Sequence, residues 1–292
     1  MRHNDTNNKT ILISGVSSGF GRALAIEAVK QGHQVVGTVR SAEAAKEFES
    51  LDPGRVTARL LDLSDTAAIA AMVEDVERTV GPVDVLVANA GYGHEGLFEE
   101  SSLDDLRAQF EVNVFGAVAL IQAVLPGMRQ RRKGRIIGIT SVGGLTTSPG
   151  LSFYHGSKFA MEGILEALGK EVTGLGIFVT AVAPGPFRTA WSGHSMSHAE
   201  RRIGDYDGLY EPIRAARTAA NGNQPGDPER AAVALMTLID APEPPRHLLL
   251  GSAAIQAVTA ARTAFDDDQQ LWAEVARSTD YSNEEPTGKR TA

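Results

Sequence analysis

A short apolar run of strand type, Thr10 to Ser14, leads straight into Gly15-Val16-Ser17-Ser18-Gly19-Phe20-Gly21 and then into a helix pattern that stops at Gly32. Few folds accept that order of elements. Glycines between a strand and a helix let the backbone come close to whatever rests on the turn, and the first turn of the helix offers free N–H groups and partial positive charge. A pyrophosphate suits such a site. Gly15, Ser17, Ser18, Gly19, Phe20 and Gly21 are therefore the first candidate binding residues, and a tight turn without a ligand is the plain alternative.

Residues 34–39 read as a second strand, closing on Thr38-Val39-Arg40. In dinucleotide folds an acidic residue about twenty positions beyond the glycines grips the ribose 2′-OH. Here Val39 stands in that place, with Arg40 beside it. No carboxylate repels a 2′-phosphate, and a guanidinium is at hand to bind one. NADP is expected rather than NAD. Further strands are predicted at 56–61, 83–88, 135–141, 177–183 and 247–250, with helices between them, among them 66–80 and the segment after Ser102 that carries Asn113. Gly32 reads as the residue just past a helix end, and Asp227-Pro228 as a helix start. Regular alternation over 292 residues predicts one α/β domain at 10–277: a Rossmann-type, doubly wound parallel sheet with helices on both faces and a C-terminal helical extension.

Tyr154 and Lys158 are four apart, hence on one face of a helix. An ammonium beside a phenol favours the phenolate and is expected to pull its pKa down from about 10. The pair would act as a general acid and base on a hydroxyl or carbonyl. Ser141 closes an apolar strand, and its hydroxyl could donate to a developing alkoxide. Tyr-x-x-x-Lys alone is common, and a surface helix pair is the bland alternative.

Composition removes other classes. A formal charge of −8 argues against nucleic acid or an anionic membrane as the main partner. No window approaches about eighteen uninterrupted apolar residues, so no membrane span is expected. The polar residues 1–9 do not read as a signal peptide, and a cytoplasmic protein is expected. Residues 1–9 and 278–292 are expected to be disordered. There is no cysteine, and no metal is expected, although His194 and His198 are four apart with Glu200 nearby. Residues 190–224 break the alternation and are read as a helical lid, with helices near 253–264 and 266–276 after the last strand. Phe153, Phe187, Trp191, Met196 and Tyr206 would line an apolar pocket if they point inwards. His94 and His155 are read as pocket-rim or surface residues.

The assembled motifs resemble the short-chain dehydrogenase/reductase family. Gly15-x-x-x-Gly19-x-Gly21 matches its cofactor turn, with Ser14 where Thr is usual. Asp62-Leu63 is similar to its adenine-contacting pair, and Ala88-Asn89-Ala90-Gly91 to its Asn-Asn-Ala-Gly signature. Asn113, Ser141, Tyr154 and Lys158 match its catalytic tetrad in order and spacing. Pro184-Gly185 followed by Thr189, with Phe187 between, is similar to its nicotinamide-side loop. The likeness spans residues 10–251, and Gly251-Ser252-Ala253 replaces a frequent Gly-Ser-Asp. The Gly-Phe-Gly turn and added C-terminal helices look like the branch that contains retinol and 17β-hydroxysteroid dehydrogenase-like members.

The resemblance implies hydride transfer between NADP(H) and a small-molecule carbonyl or secondary alcohol. Tyr154 would exchange the proton. Lys158 would lower its pKa and hold the nicotinamide ribose. Ser141 would orient the carbonyl oxygen, and Asn113 would bind a water leading to solvent. Pairing through the helices bearing Asn113 and Tyr154 would give a homodimer or homotetramer. Two rival readings remain. A non-catalytic NADP-binding regulator would need the turn but not the tetrad. Gly15-Val16-Ser17-Ser18-Gly19 also fits the nucleophile elbow of α/β-hydrolases, with Ser17 as nucleophile and His247 as the late base, yet that turn follows the very first strand.

Overall fold

In the computed structural model, which describes residues 8–189, 191 and 195–281, the central strands bury both faces. In β1, Thr10–Ser14, Ile11 and Ile13 turn to one side and Leu12 to the other. The same holds for β2 (Gln34–Val39), β4 (Val85–Ala88), β6 (Gly134–Ile139) and β7 (Ile177–Pro184). Strands buried on both faces belong in a parallel sheet covered by helices. With β3 (Val56–Leu60) and β9 (His247–Leu250) they form a seven-stranded sheet in the order β3-β2-β1-β4-β6-β7-β9, all of it parallel.

One face carries α3 (Thr66–Thr79), α4 (Leu103–Phe110), α5 (Ala117–Arg131) and α6 (Ser152–Glu171). Ile69, Val76, Leu120, Val124 and Leu165 pack there on Leu12, Leu86 and Ile136. The other face carries α1 (Gly19–Lys30), α2 (Ala42–Glu49) and α8 (Pro228–Asp240). Leu24, Phe48 and Leu235 meet Ile11, Ile13, Val87 and Val182. Each such side chain contributes about 1.5–3 kcal/mol by leaving water. Strand order reverses between β1 and β4, so their carboxyl ends open a crevice there.

Several boundaries follow the sequence closely. Gly32 takes φ +90° just beyond α1, and Asp227 caps α8 through the amides of Glu229 and Arg230 with Pro228 in the first turn. Others differ. Strand β6 stops at Ile139, and Ser141 instead opens a 3-10 turn, Val142–Gly144. The helix through Asn113 is three pieces in line: α4, a π-helical turn at Glu111–Gly116, and α5. Leu103–Arg131 contains an eighteen-residue window of mean hydropathy 1.5, long and apolar enough to cross a membrane by composition. Its apolar stripe, however, serves the core through Leu120, Val124 and Met128.

The two helices predicted after β9 are one helix, α9 (Ser252–Leu271), and a short α10 (Ala273–Arg277). Asp266 sits inside the helix, where no extended residue precedes it to make a cap. Within 190–224 the chain forms β8 (Met196–His198), a 3-10 turn at Gly204–Tyr206, and α7 (Asp207–Ala220). Strand β8 pairs in parallel with β5 (Gly93–Glu95) as a separate two-stranded sheet. Of the ends expected to be disordered, residues 1–7 and 282–292 lie outside the described residues.

Candidate active site

Strand β1 and strand β4 are clipped together where the crevice begins. The buried Ser14 hydroxyl accepts from the amides of Asn89 and Ala90, both at 3.0 Å. In return Asn89 Nδ2 donates to the carbonyls of Ser14 and Gly15 at 2.9 Å, and Thr38 Oγ1 accepts from Gly15 N at 3.1 Å. Gly21 is a packing residue: a Cβ there would lie 2.2 Å from the Gly15 oxygen. The N-cap of α1, Ser18, makes no side-chain cap bond, so the first N–H groups of the helix have no side-chain partner. A diphosphate fits such an end.

A cleft of about 960 Å³ runs from this turn across the carboxyl ends of the strands. Gly15, Ser17, Ser18, Gly19, Phe20, Arg40, Asp62, Leu63, Asn89, Ala90 and Gly91 line one part of it. Ser141, Tyr154, Lys158, Pro184, Gly185, Phe187 and Thr189 line the rest. Two predicted site residues stand behind the wall, Gly21 and Asn113. Arg40 is exposed at the far end. The Asp62 carboxyl beside it is held below the usual carboxylate range, first by the Ser64 amide and hydroxyl, and lastly by the Arg40 charge.

Tyr154 and Lys158 are both buried. The Ser141 and Tyr154 hydroxyls are hydrogen-bonded, and Ser141 Oγ also accepts from Gly143 N at 3.0 Å. Lys158 Nζ lies 5.9 Å from the Tyr154 ring centre and donates to Ile139 O at 2.9 Å. The phenol shifts in the direction opposite to that expected from the Tyr154–Lys158 spacing. Burial pushes the Tyr154 phenol up to about 12, opposed only by the Ser141 bond, because leaving water penalises the phenolate more than the ammonium at this distance helps it. Burial likewise brings Lys158 down to about 8, with the Glu162 charge acting the other way.

Asn113 is placed by the π turn, and its side-chain amide is largely committed. Nδ2 donates to Tyr92 O at 3.0 Å and Ser157 Oγ at 3.1 Å, and Oδ1 accepts from Tyr92 N at 3.1 Å. Its side chain thus ties β4's outgoing loop to α6. Tyr92 and Ser157 carry no local motif, so sequence reasoning misses both.

The substrate side departs further from expectation. Phe187, Trp191 and Met196 line the cleft, with the Trp191 ring 5.1 Å from that of Tyr154. Phe153 points away instead, against His94 and Phe98, since it is one residue from Tyr154 on the helix and turns by about 100°. Tyr206 donates its hydroxyl to Glu99 at 2.7 Å and stands outside the cleft. Of the two histidines read as rim or surface, His155 is buried yet lines the cleft, and His94 does not reach it. His94 is buried between Ser197 and Ser101, and His155 holds Gly143 O at 2.8 Å through Nδ1 while Nε2 accepts from Ser148 N. Burial lowers the pKa of both. Of the metal-like spacing, His194 lies outside the described residues, and His198 faces Glu95 at 3.5 Å. His247 is engaged with Glu162 at 2.9 Å and Glu166 at 3.7 Å, which commits it to α6 rather than to Ser17.

The sheet, the crevice and the Ser–Tyr–Lys wall together define a nucleotide-type α/β enzyme site. The short chain dehydrogenase profile matches residues 9–200, and the chain belongs to the short-chain dehydrogenase/reductase family of oxidoreductases. It is 35% identical to a 3-ketodihydrosphingosine reductase of Bacteroides thetaiotaomicron over 82% of this chain and 87% of the other. It is 34% identical to human retinol dehydrogenase 8 over 81% and 79%. Among solved structures it resembles a short-chain dehydrogenase from Streptomyces avermitilis, with a TM-score of 0.88, 38% identity, and coverage of 94% and 100%. A serine dehydrogenase complexed with NADP+ is also similar, at a TM-score of 0.71, 25% identity, and coverage of 82% and 94%.

Proposed function

We propose that the protein is an NADP(H)-dependent oxidoreductase acting between the nicotinamide and a carbonyl or secondary alcohol of a fairly bulky apolar molecule. The observation that carries this reading is the convergence of Ser141, Tyr154 and Lys158 on one wall of a cleft whose other end holds the glycine turn and Arg40. When bound, the nicotinamide supplies or accepts the hydride. Every other need falls to this chain. The Tyr154 phenol, protonated at neutral pH, gives its proton to a nascent alkoxide or receives it in the reverse direction. Ser141 orients the carbonyl oxygen through its hydroxyl. Lys158 binds the ribose hydroxyls and, once turned towards them, adds positive charge beside the phenol, which favours phenolate character as the proton moves. Asn113 fixes Tyr92 and Ser157 and acts as a positioning residue.

Arg40 supports NADP: its guanidinium can pair with a 2′-phosphate, and no carboxylate ends β2. The NADP+ complex of the similar serine dehydrogenase agrees with this choice. For the substrate, the support is the apolar wall of Phe187, Trp191 and Met196 and the hydrocarbon-rich molecules in the names of the two relatives. We extend the proposal to a lid formed by residues 190–224, to pairing through the helices of Asn113 and Tyr154, and to a cytoplasmic setting.

Titration with NADPH and NADH, followed by nicotinamide fluorescence, tests the assignment. NADPH is expected to bind more tightly by about tenfold or more, with Arg40→Asp abolishing the preference. Tighter NADH binding overturns the Arg40 argument. NADPH binding without turnover across a broad panel of ketones and aldehydes would instead favour a regulator.

A further inference from the structure

Two glycines let α6 come close to β6 and to the turn that follows it. A Cβ on Gly138 of β6 would fall 2.3 Å from a Leu165 methyl, and one on Gly144 would fall 2.8 Å from the Lys158 oxygen and 3.1 Å from Glu162 Cγ. Close packing of that kind buries Glu162, one turn beyond Lys158, to 5% exposure. A carboxylate in such a place is costly unless paired. Thr140 Oγ1 donates to one of its oxygens, and Nδ1 of His247, on β9, lies 2.9 Å from the other. Thr140 Oγ1 is also 2.9 Å from Val182 O, so the residue is held from two sides.

Thr140 sits between two groups of the reaction centre. Before it is Ile139, whose carbonyl accepts from Lys158 Nζ. After it is Ser141, whose hydroxyl meets Tyr154. Glu162 therefore touches the single residue that joins them, and the chemistry described so far makes no use of it.

We propose that Glu162 is a positioning residue for the Tyr154–Lys158 pair, its carboxylate serving as the buried counter-charge of Lys158 and, through Thr140, as the tie that sets segment 139–141, with His247 closing it from the sheet edge. The inference rests on the role proposed for Lys158. The charged and titratable groups that face one another here are few. Lys158 lies near the Tyr154 ring and feels the charge of Glu162 one turn along its own helix; Glu162 meets His247 from β9; His247 also faces Glu166 at 3.7 Å, on which Arg246 acts. Burial works against the Lys158 charge and Glu162 works for it. With that carboxylate neutralised, the ammonium loses its proton at lower pH.

NADPH affinity measured by fluorescence from about pH 6 to 9.5 reads this directly, with no substrate needed. In the parent protein the affinity is expected to fall on the alkaline side as Lys158 deprotonates. In Glu162→Gln that fall should begin about one pH unit or more lower, while affinity near pH 6 stays within about twofold of the parent. Glu162→Asp, which keeps the charge, should lie close to the parent. Should the single Gln variant be too unstable, Glu162→Gln/His247→Leu also removes the imidazole left without its carboxylate and should show the same shift. A merely structural loss weakens binding equally at every pH, and that result, or an unmoved alkaline limb, overturns the proposal. Lys158→Met separates the two ideas. If it binds NADPH with the parent's affinity and pH dependence, the role of Lys158 fails and the inference with it. If it loses the alkaline limb while Glu162→Gln keeps the parent's, only Glu162 is misread.

Discussion

Replacing Tyr154 by Phe removes one hydroxyl from a fully formed wall and leaves the ring that packs on Trp191. Fold and NADPH binding should survive, whereas turnover should fall by about 10²–10⁴-fold, the range for a lost general acid. Circular dichroism and fluorescence titration beside steady-state rates separate these effects, and near-parental turnover would remove Tyr154 from the mechanism. The spacing of Tyr154 and Lys158 was legible because it needs only helical periodicity. The direction of the phenol's shift was not, since it depends on burial by Trp191 and on Lys158 turning to Ile139, neither of which is local. The same four-residue spacing leads from Lys158 to Glu162, so that signal was present in the chain. What it lacked was any hint that Thr140 and His247 would meet the carboxylate.

At the scale of elements, α1 sits on the glycine turn at a distance that leaves no room for a methyl group at position 21. Gly21→Ala would place a carbon 2.2 Å from the Gly15 oxygen and 2.7 Å from Asn89 Nδ2. The helix must shift, at a cost of about 1–3 kcal/mol. A melting temperature lower by about 5 °C, together with weakened NADPH binding, is the expected outcome. Unchanged melting would show that the turn relaxes without strain.

Helix α7 is tied to the body through Glu100 and Arg201. The Glu100 carboxyl is buried, which alone would raise its pKa, but the amides of Arg202 and Ile203 and the Arg201 guanidinium hold it below the usual range. Arg201 also binds Asp207 and Glu211. A depressed carboxyl stabilises the fold above its ordinary pKa of about 4.3, and that support is lost as pH falls through the folded value. Hydrogen exchange followed from about pH 6 to 3, corrected for intrinsic rates, should show α7 losing protection before the sheet does. Simultaneous loss would mean that α7 is held by other contacts.

Elements with a strong period were readable, among them β1, β2, α3 and α8. Helix α2 escaped because Phe48 is its single buried residue, and one anchor makes no repeat. Strands β5 and β8 escaped because they are three residues long and rich in polar side chains. Burial of His94 and Glu95 comes from pairing with a segment about a hundred positions away.

For the whole molecule, exposed apolar side chains gather along the helices proposed to pair. Leu103, Phe115 and Phe159 stand out from α4, the π turn and α6. Light scattering on the purified protein should give the mass of a dimer or tetramer, and Phe115→Asp with Phe159→Asp should reduce it, because a buried unpaired charge is costly at such an interface. A monomer at micromolar concentration would leave those side chains without that role.

The half of the cleft around the glycine turn comes from the chain up to Gly91, clipped by Ser14, Asn89 and Thr38. Part of the opposite mouth, Ser195, Met196 and Ser197, belongs to a later stretch that is fastened to residues 93–101 by β5 with β8, by Arg201 with Glu100, and by Arg217 with Glu95 at 2.8 Å. A mouth that carries its own fastenings can be exchanged as a piece. Over evolutionary time, new molecules could be admitted by rewriting residues 195–224 together with the 93–101 stretch that fastens them, while the half around the glycine turn is inherited untouched.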